Sequence, residues 1–264
     1  MRIGRWLGVL LAIVVLAVVA CGDDDEGSSG SSGGGGEKPQ LTVSAAASLK
    51  AAFTEYGKQF SGADVRYSFA GSDELAAQIE QGVKPDVYAA ANTSLPDELY
   101  DKDLVGKPTV FAGNELVLAV PADSDKVSSL EDLTKEGVTI AIGQEDVPVG
   151  SYTRTVLDKL PAKQSEAILA NVRSEEPDVA GITGKLTQGA VDAGFLYASD
   201  VAATDGALKA IELPDDLQPE VAYGAAVVRG AKEPDLAQQF IDGLLDGAGA
   251  QALEDAGFLP PPEQ

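Results

Sequence analysis

Apolar residues recur along the chain with two alternating periods, one typical of strands and one typical of helices. The extended apolar run 41–47 is followed by apolar positions three, four, seven and eleven residues after Leu49, which places them on one face of a helix. A second unit has strict alternation over 65–69 and then helical spacing up to Gly82, a helix-stop residue. The pattern predicts two consecutive strand–helix units.

The same alternation continues through the rest of the chain. Strands are predicted over 115–120, 138–142, 194–197 and 221–228, and helices over 235–245 and 251–256. Strands that alternate with helices indicate an α/β fold with mostly parallel sheets. About 220 residues are enough for two lobes with separate cores.

Two serines lie where a predicted strand gives way to a predicted helix. Ser48 is expected to be the N-cap of the first helix, and Ser72 follows Gly71 at the start of the second. A helix start presents N–H groups and the positive end of the helix dipole, so it favours anions without a basic side chain. Either serine could instead serve only as a helix cap.

Seven short motifs, in a fixed order from Leu41 to Leu259, resemble the substrate-binding proteins of molybdate ABC transporters. The matching stretches are 45–49 (AAASL), 69–72 (FAGS), 85–87 (PDV), 113–117 (GNELV), 147–152 (VPVGSY), 176–179 (EPDV) and 192–200 (DAGFLYASD). The resemblance implies a two-lobe periplasmic-binding-protein fold of type II, with the ligand in a cleft between lobes. It implies that the protein captures molybdate, and tungstate as well, for an ABC permease.

The resemblance also implies a site made of hydroxyls and main-chain amides. The oxyanion-binding residues would be Ser48, Ser72, Val149, Val179 and Tyr197, with only the N–H groups of the two valines touching ligand. The local pattern agrees: a proline–valine–glycine run precedes a predicted helix, and an aspartate is the predicted N-cap of another. A tyrosine in an apolar strand is otherwise typical of a core residue.

The lobe boundaries are likewise taken from the resemblance. The chain would cross between lobes near 112–114 and near 222–224, so that lobe I is 41–112 plus 225–264 and lobe II is 113–224. A ligand that bridges both lobes favours the closed state. The protein is expected to be a monomer that docks on its permease.

Asp73 departs from the family pattern, because relatives usually have a small neutral residue at this position. If its carboxylate faces the ligand, it lowers oxyanion affinity; if it faces solvent, it strengthens the start of the helix.

The N-terminal segment has the pattern of a bacterial lipoprotein signal. Arg2 and Arg5 precede an apolar run, 6–20, that is shorter than the roughly 20 residues of a membrane-spanning helix. The run ends at Cys21, in a motif that resembles a lipobox, so residues 1–21 are predicted to be a lipoprotein signal peptide that ends at a lipid-modified Cys21, the first residue of the mature chain. Residues 22–40, acidic and then rich in Gly and Ser, are predicted to be a flexible tether. The protein would then be anchored on the outer face of the cell membrane.

The charge and composition exclude several classes of function. The net charge is −23, and there is no basic stripe with aromatic residues, which argues against nucleic-acid binding. The chain has no histidine and one cysteine, so neither a catalytic triad nor a histidine or thiolate metal site is expected, and no cofactor is predicted. A surface lipoprotein without a transport role remains an alternative.

Neutral donors without a proton acceptor favour a fully deprotonated dianion and disfavour hydrogen phosphate. Molybdate, tungstate and sulfate all meet this condition. The preference for molybdate over sulfate therefore comes from the resemblance alone, and another tetrahedral oxyanion is the alternative ligand.

Overall fold

The computed structural model describes residues 38–263, so the predicted signal, the lipidation site Cys21 and most of the tether lie outside the described residues. The first part of the chain forms β1 (Gln40–Ala46), α1 (Lys50–Gln59), β2 (Asp64–Ala70), α2 (Ser72–Glu80), β3 (Val87–Ala90), α3 (Ser94–Asp101) and β4 (Thr109–Asn114). A 3-10 turn, Ala47–Leu49, separates β1 from α1.

The second part forms β5 (Leu116–Pro121), a 3-10 turn (Glu131–Thr134), β6 (Ile140–Gly143), α4 (Pro148–Lys159), α5 (Ala162–Ala170), β7 (Val172–Glu176), α6 (Val179–Thr187), β8 (Ala193–Tyr197), α7 (Ala198–Ala202) and β9 (Leu208–Glu212). The chain then continues through β10 (Val221–Val227), α8 (Pro234–Leu245) and α9 (Ala248–Asp255). The predicted strands and helices are confirmed, with shifts of a few residues at their ends.

The strands form two five-stranded sheets of matching design. The first has the order β2-β1-β3-β10-β4 and the second has the order β7-β6-β8-β5-β9. In the first sheet β10 is antiparallel to both of its neighbours, and in the second β5 is. The other four strands of each sheet therefore run in one direction, which confirms the predicted α/β class with mostly parallel sheets.

Each sheet has the same threonine–aspartate clamp across a parallel strand pair. In the first sheet Asp86, just before β3, accepts hydrogen bonds from the main-chain N–H (2.7 Å) and hydroxyl (2.6 Å) of Thr42 on β1. In the second sheet Asp192, just before β8, accepts from the N–H (2.8 Å) and hydroxyl (2.7 Å) of Thr139, just before β6. The clamps fix the register of the strands whose carboxyl ends carry the candidate site.

The chain changes sheets at two places. The first change is at Glu115, between β4 and β5, and the second lies in 213–220, between β9 and β10. The predicted second crossing at 222–224 falls inside β10, which pairs along its length with strands of the first sheet. The predicted lobe boundaries therefore stay a prediction, with the change of sheet somewhat earlier in the chain than expected.

Candidate binding site between the two sheets

All five predicted site residues border one small cavity between the two sheets. Its volume is about 20 Å³, room for a compact ligand rather than an organic solute. Its remaining walls are mostly small apolar residues: Ala46, Ala47, Ala70, Gly71, Ala91 and Pro148. The structure thus brings together residues that lie up to 149 positions apart, and their role as ligand contacts stays a prediction.

Ser48 lies on the first-sheet side of the cavity, in the 3-10 turn after β1. The prediction that it is the N-cap of α1 is wrong, because this turn separates the strand from the helix and Leu49 occupies the cap position. The Ser48 hydroxyl is instead 3.0 Å from the hydroxyl of Tyr223, a residue on β10. The serine is therefore tied to the sheet behind it rather than to its own helix.

Ser72 is the second serine on this side, and it is almost fully buried. It is the first residue of α2, and Gly71 occupies the cap position. Its Oγ accepts a hydrogen bond from the main-chain N–H of Ala91 (3.0 Å), while its carbonyl accepts one from the hydroxyl of Tyr88 (2.7 Å). A role only as a helix cap is thus wrong for Ser72 as well.

Two helix starts contribute from the second-sheet side. Val149 is the second residue of α4, a helix that begins at Pro148, and Val179 is the first residue of α6. The predicted cap of α6 is confirmed, since the Asp178 carboxylate accepts a hydrogen bond from the N–H of Gly181 at 2.9 Å. N–H groups in the first turn of a helix have no partner within the helix, so these two starts offer main-chain donors to the cavity.

Tyr197 completes this side of the cavity at the carboxyl end of β8. It is 1% exposed, and its hydroxyl has no hydrogen-bond partner among the described residues. Burial raises the pKa of Tyr197 well above its usual value, so the phenol keeps its proton. A buried hydroxyl without a protein partner, at the wall of a cavity, is a donor available to a ligand. This observation favours a binding role over the core role left open from the sequence.

Charged groups are few around the cavity. Among the described residues Asp178 is the one charged residue of its lining, and its carboxylate caps α6. Asp73 does not border the cavity; it is half-buried, and one of its carboxylate oxygens has no hydrogen-bond partner within residues 38–263. Burial raises the pKa of Asp73, and the nearby Asp146 on the second-sheet side adds to the increase. Neither alternative from the sequence describes Asp73 fully, because it faces the junction between the two halves.

Tyr223 was not found by the sequence analysis, although it holds Ser48. It lies 175 positions from the serine and sits in a strand whose residues are nearly all buried. Nothing in its local pattern distinguishes it from a core residue, because its partner is set by the pairing of β10 with distant strands. The contact of Ser72 with the N–H of Ala91 is likewise not visible in the local pattern, since it depends on how the start of α2 packs beside the end of β3.

Comparison with known proteins places this arrangement in a family. Residues 41–259 match the model of the bacterial extracellular solute-binding proteins. The chain belongs to this family. It is 36% identical over 227 residues to the molybdate-binding protein ModA of Mycobacterium tuberculosis, which covers 84% of this chain and 85% of that protein. The resemblance stated from the sequence motifs is therefore confirmed.

Solved structures of solute-binding proteins share its fold. The periplasmic molybdate-binding protein of Azotobacter vinelandii superimposes with a TM-score of 0.74 at 20% identity, over 84% of this chain and all of that one. The sulfate-binding protein SubI of Mycobacterium tuberculosis gives 0.76 at 16% identity, over 84% and 87%. These likenesses confirm the predicted two-lobe fold of type II. Within residues 38–263, no helix is both long and apolar enough to cross a membrane.

Proposed function

We propose that this solute-binding protein captures molybdate outside the cell and delivers it to an ABC transporter permease, and that tungstate binds as well. The relatives named as molybdate-binding proteins support this ligand class. The observation that carries the proposal is the buried Tyr197 hydroxyl, which has no hydrogen-bond partner in the part of the chain that the structure describes and borders the same cavity as Ser48 and Ser72.

The cavity suits an anion that only accepts hydrogen bonds. Its walls supply two serine hydroxyls, one phenol and two helix starts, and within residues 38–263 they include no lysine or arginine. Main-chain and hydroxyl donors stabilise an anion without a cation once the site excludes water, since the local dipoles then act at short range and with little screening. The net charge of −23 opposes encounter with an anion at long range, which slows association rather than changing selectivity.

Capture would use both halves of the molecule. The serines belong to elements of the first sheet, and Val149, Val179 and Tyr197 belong to elements of the second. A ligand that contacts both halves binds the closed arrangement better than an open one, and so shifts the population towards closure. The closed form would be the one that the permease recognises.

The anchor belongs to the same proposal. Cys21 would carry the lipid, and residues 22–40 would tether the binding unit outside the membrane. Radiolabelled fatty-acid incorporation into the chain, compared with Cys21→Ser, tests this part separately from ligand binding.

Sulfate is the second candidate ligand, because a sulfate-binding protein shares the fold. Isothermal titration of the purified chain with molybdate, tungstate, sulfate and phosphate separates the candidates. Tight binding of the first two alone supports the proposal. Tight binding of sulfate alone transfers the function to sulfate, and binding of none leaves a surface lipoprotein whose cleft takes another ligand. No catalytic role is proposed, since the chain has no histidine and, among the described residues, the one carboxylate of the cavity lining, that of Asp178, caps α6.

A further inference from the structure

Tyr223 lies directly behind the candidate site without forming part of it. The residue is fully buried on β10 and does not border the cavity. Its ring packs edge-on against that of Tyr197, with centroids 5.8 Å apart, and its hydroxyl is 3.0 Å from Ser48 Oγ. Tyr223 therefore contacts two of the predicted ligand-binding residues from the interior of the protein.

Either hydroxyl of the Ser48–Tyr223 pair could donate, and the surroundings of the phenol decide which does. Among the described residues Ser48 Oγ is the hydrogen-bond partner of the Tyr223 hydroxyl, so a phenol that only accepted from Ser48 would leave its own buried hydrogen without an acceptor. The neighbouring Asn114 does not supply that acceptor, because its Oδ1 accepts from the N–H of Glu115 (2.9 Å) and its Nδ2 donates to Ser199 Oγ (2.8 Å). The phenol hydrogen therefore points to Ser48.

The phenol keeps that hydrogen. Burial raises the pKa of Tyr223 well above its usual value, so the phenol is protonated at neutral pH. Ser48 Oγ then accepts from Tyr223, and the serine hydrogen is left to point at the cavity.

Ser72 has an equivalent arrangement. Its Oγ accepts from the N–H of Ala91, a group that can only donate, so its hydrogen is likewise left for the cavity. Both serine hydroxyls are thus oriented by a donor on their inner side, one by a main-chain amide and one by a phenol. The phenol is the one that a side-chain substitution can remove.

We infer that Tyr223 is a positioning residue that fixes Ser48 as a hydrogen-bond donor to the ligand, and that it thereby favours fully deprotonated oxyanions over protonated ones. The inference rests on the proposed oxyanion-binding function. Without the phenol, Ser48 is free to turn its hydrogen away from the cavity and to accept from a ligand that still carries a proton. A hydrogen bond from Tyr223 to Ser48 also polarises the serine hydroxyl, which strengthens the hydrogen bond that the serine donates to the ligand.

The test is a double-mutant cycle on the full chain with Ser48→Ala and Tyr223→Phe, titrated with molybdate and with phosphate, which still carries a proton at neutral pH. Tyr223→Phe is expected to weaken molybdate binding about 3- to 10-fold, the range for one net hydrogen bond. In the Ser48→Ala background the same substitution is expected to change the molybdate Kd less than about twofold, because its effect acts through the serine. The phosphate-to-molybdate ratio of Kd values should fall for Tyr223→Phe.

Tyr56→Phe is the matched control, since Tyr56 is another buried tyrosine whose hydroxyl donates to a carbonyl, that of Phe240 (3.1 Å), away from the cavity. It should leave both Kd values unchanged. Thermal melts establish that each variant is folded. Should Tyr223→Phe be unfolded, Asn114→Ala goes through the same cycle, because loss of the amide beside the phenol lets water offer the phenol hydrogen a second acceptor. Its effect on molybdate binding should likewise disappear in the Ser48→Ala background.

Three results would overturn the inference while leaving the proposed function intact. They are an unchanged molybdate Kd for Tyr223→Phe, an equal loss with and without the Ser48 hydroxyl, and an equal loss for molybdate and phosphate. Failure of the unaltered chain to bind any oxyanion would overturn the proposed function, and this inference with it.

Discussion

The two sides of the cavity supply hydrogen-bond donors by different means. On the first-sheet side the donors are the side-chain hydroxyls of Ser48 and Ser72, whose directions are set by Tyr223 and by the N–H of Ala91. On the second-sheet side they are main-chain N–H groups at the starts of α4 and α6, with the single phenol of Tyr197. A substitution can remove the hydroxyl donors one at a time, whereas the main-chain donors depend on where whole helices begin.

Glycine packing shows how closely the start of α4 is fixed. A Cβ atom at Gly150 would lie 1.8 Å from the carbonyl oxygen of Gln144, and one at Gly143 would lie 2.6 Å from the N–H nitrogen of Gly150. Backbone therefore packs on backbone beside Val149, and neither partner can move alone. The positions of the amide donors are therefore fixed by main-chain packing, while the directions of the serine hydroxyls are fixed by individual contacts.

Gly150→Ala is expected to have the largest effect on both stability and binding, because it displaces the start of α4. We expect a loss of stability of about 3 kcal/mol or more, from an overlap with main chain that a rotamer change cannot relieve. Molybdate binding should weaken by at least about 10-fold, the equivalent of 1.4 kcal/mol. Urea unfolding and titration measure the two effects.

Gly184→Ala is the control for that change. Gly184 lies within α6, and a Cβ there would meet its nearest neighbour, the Gln188 amide nitrogen, at 3.7 Å. It should stabilise the protein by about 0.5–1 kcal/mol through helix propensity and leave binding unchanged. If Gly150→Ala behaves like Gly184→Ala, the start of α4 is not fixed as described.

The two sides should also differ in their response to pH. Burial raises the pKa of Asp200 from 3.8 to about 7, with Asp178 adding to the increase and the N–H of Tyr197 opposing it. On the first-sheet side burial would also raise the pKa of Asp86, but hydrogen bonds from Thr42 and from main-chain N–H groups outweigh it and lower the pKa. The folded protein therefore favours the protonated form of Asp200 and the ionised form of Asp86.

Asp200→Asn tests this difference. Well below pH 3.8 both the folded and the unfolded chain hold the Asp200 proton; as the pH rises from there to about 7 the unfolded chain releases it first, so stability falls. We expect a fall of about 3–4 kcal/mol from this residue between pH 4 and 7, at 1.36 kcal/mol per pKa unit. The variant should flatten the stability curve between pH 4 and 7; an unchanged slope would contradict the assignment.

Tyr197→Phe and Ser48→Ala compare one donor from each side. Each should weaken molybdate binding by about 1–3 kcal/mol, the range for leaving a charged acceptor short of one hydrogen bond. The two variants should differ in stability without ligand. The Tyr197 hydroxyl has no hydrogen-bond partner among residues 38–263, so Tyr197→Phe breaks no such bond, while Ser48→Ala leaves the buried Tyr223 hydroxyl without its partner. Thermal melts of the ligand-free variants measure this, and if affinity is retained in both variants the assigned site is wrong.

Asp73→Ser should have the smallest effect. Because the Asp73 carboxylate faces the Asp146 side of the junction rather than the cavity, we expect binding to tighten by only about two- to fivefold at low salt, with less change at high salt as the charges are screened. Glu74→Gln, at an exposed position one residue on, is the control and should change affinity less. If Asp73→Ser binds molybdate more weakly, the stabilisation of the α2 start by the Asp73 carboxylate outweighs its repulsion of the ligand.

Local pattern was sufficient for most of the fold. Buried Ala52, Phe53 and Tyr56 form the inner face of α1 as their spacing predicts, and the strands over 115–120, 194–197 and 221–228 are present with end shifts of one residue. Short-range periodicity reports which face is buried, and that is a property of neighbouring residues. The cap of α6 at Asp178 was predicted for the same reason, because a cap and its N–H partner lie three residues apart.

The roles of the site residues were less well predicted. Ser48 was expected to cap a helix, yet its partner is a tyrosine from β10, and the carboxylate of Asp73 lies at a junction that neither alternative described. The partner of Ser48 depends on the strand order of the first sheet, and the surroundings of Asp73 depend on where the two sheets meet.

By itself the sequence determined the alternation of strands and helices and the family, and its motifs indicated five of the residues that line the cavity, since periodicity and motifs are written in consecutive positions. The tertiary structure alone decided the size of the cavity, the partners of Ser48 and Ser72, and the place of Tyr223 behind them. The physical reason is distance along the chain: the direction of a hydroxyl is set by whichever donor the folded sheets bring beside it, and for Ser48 that donor is 175 residues away.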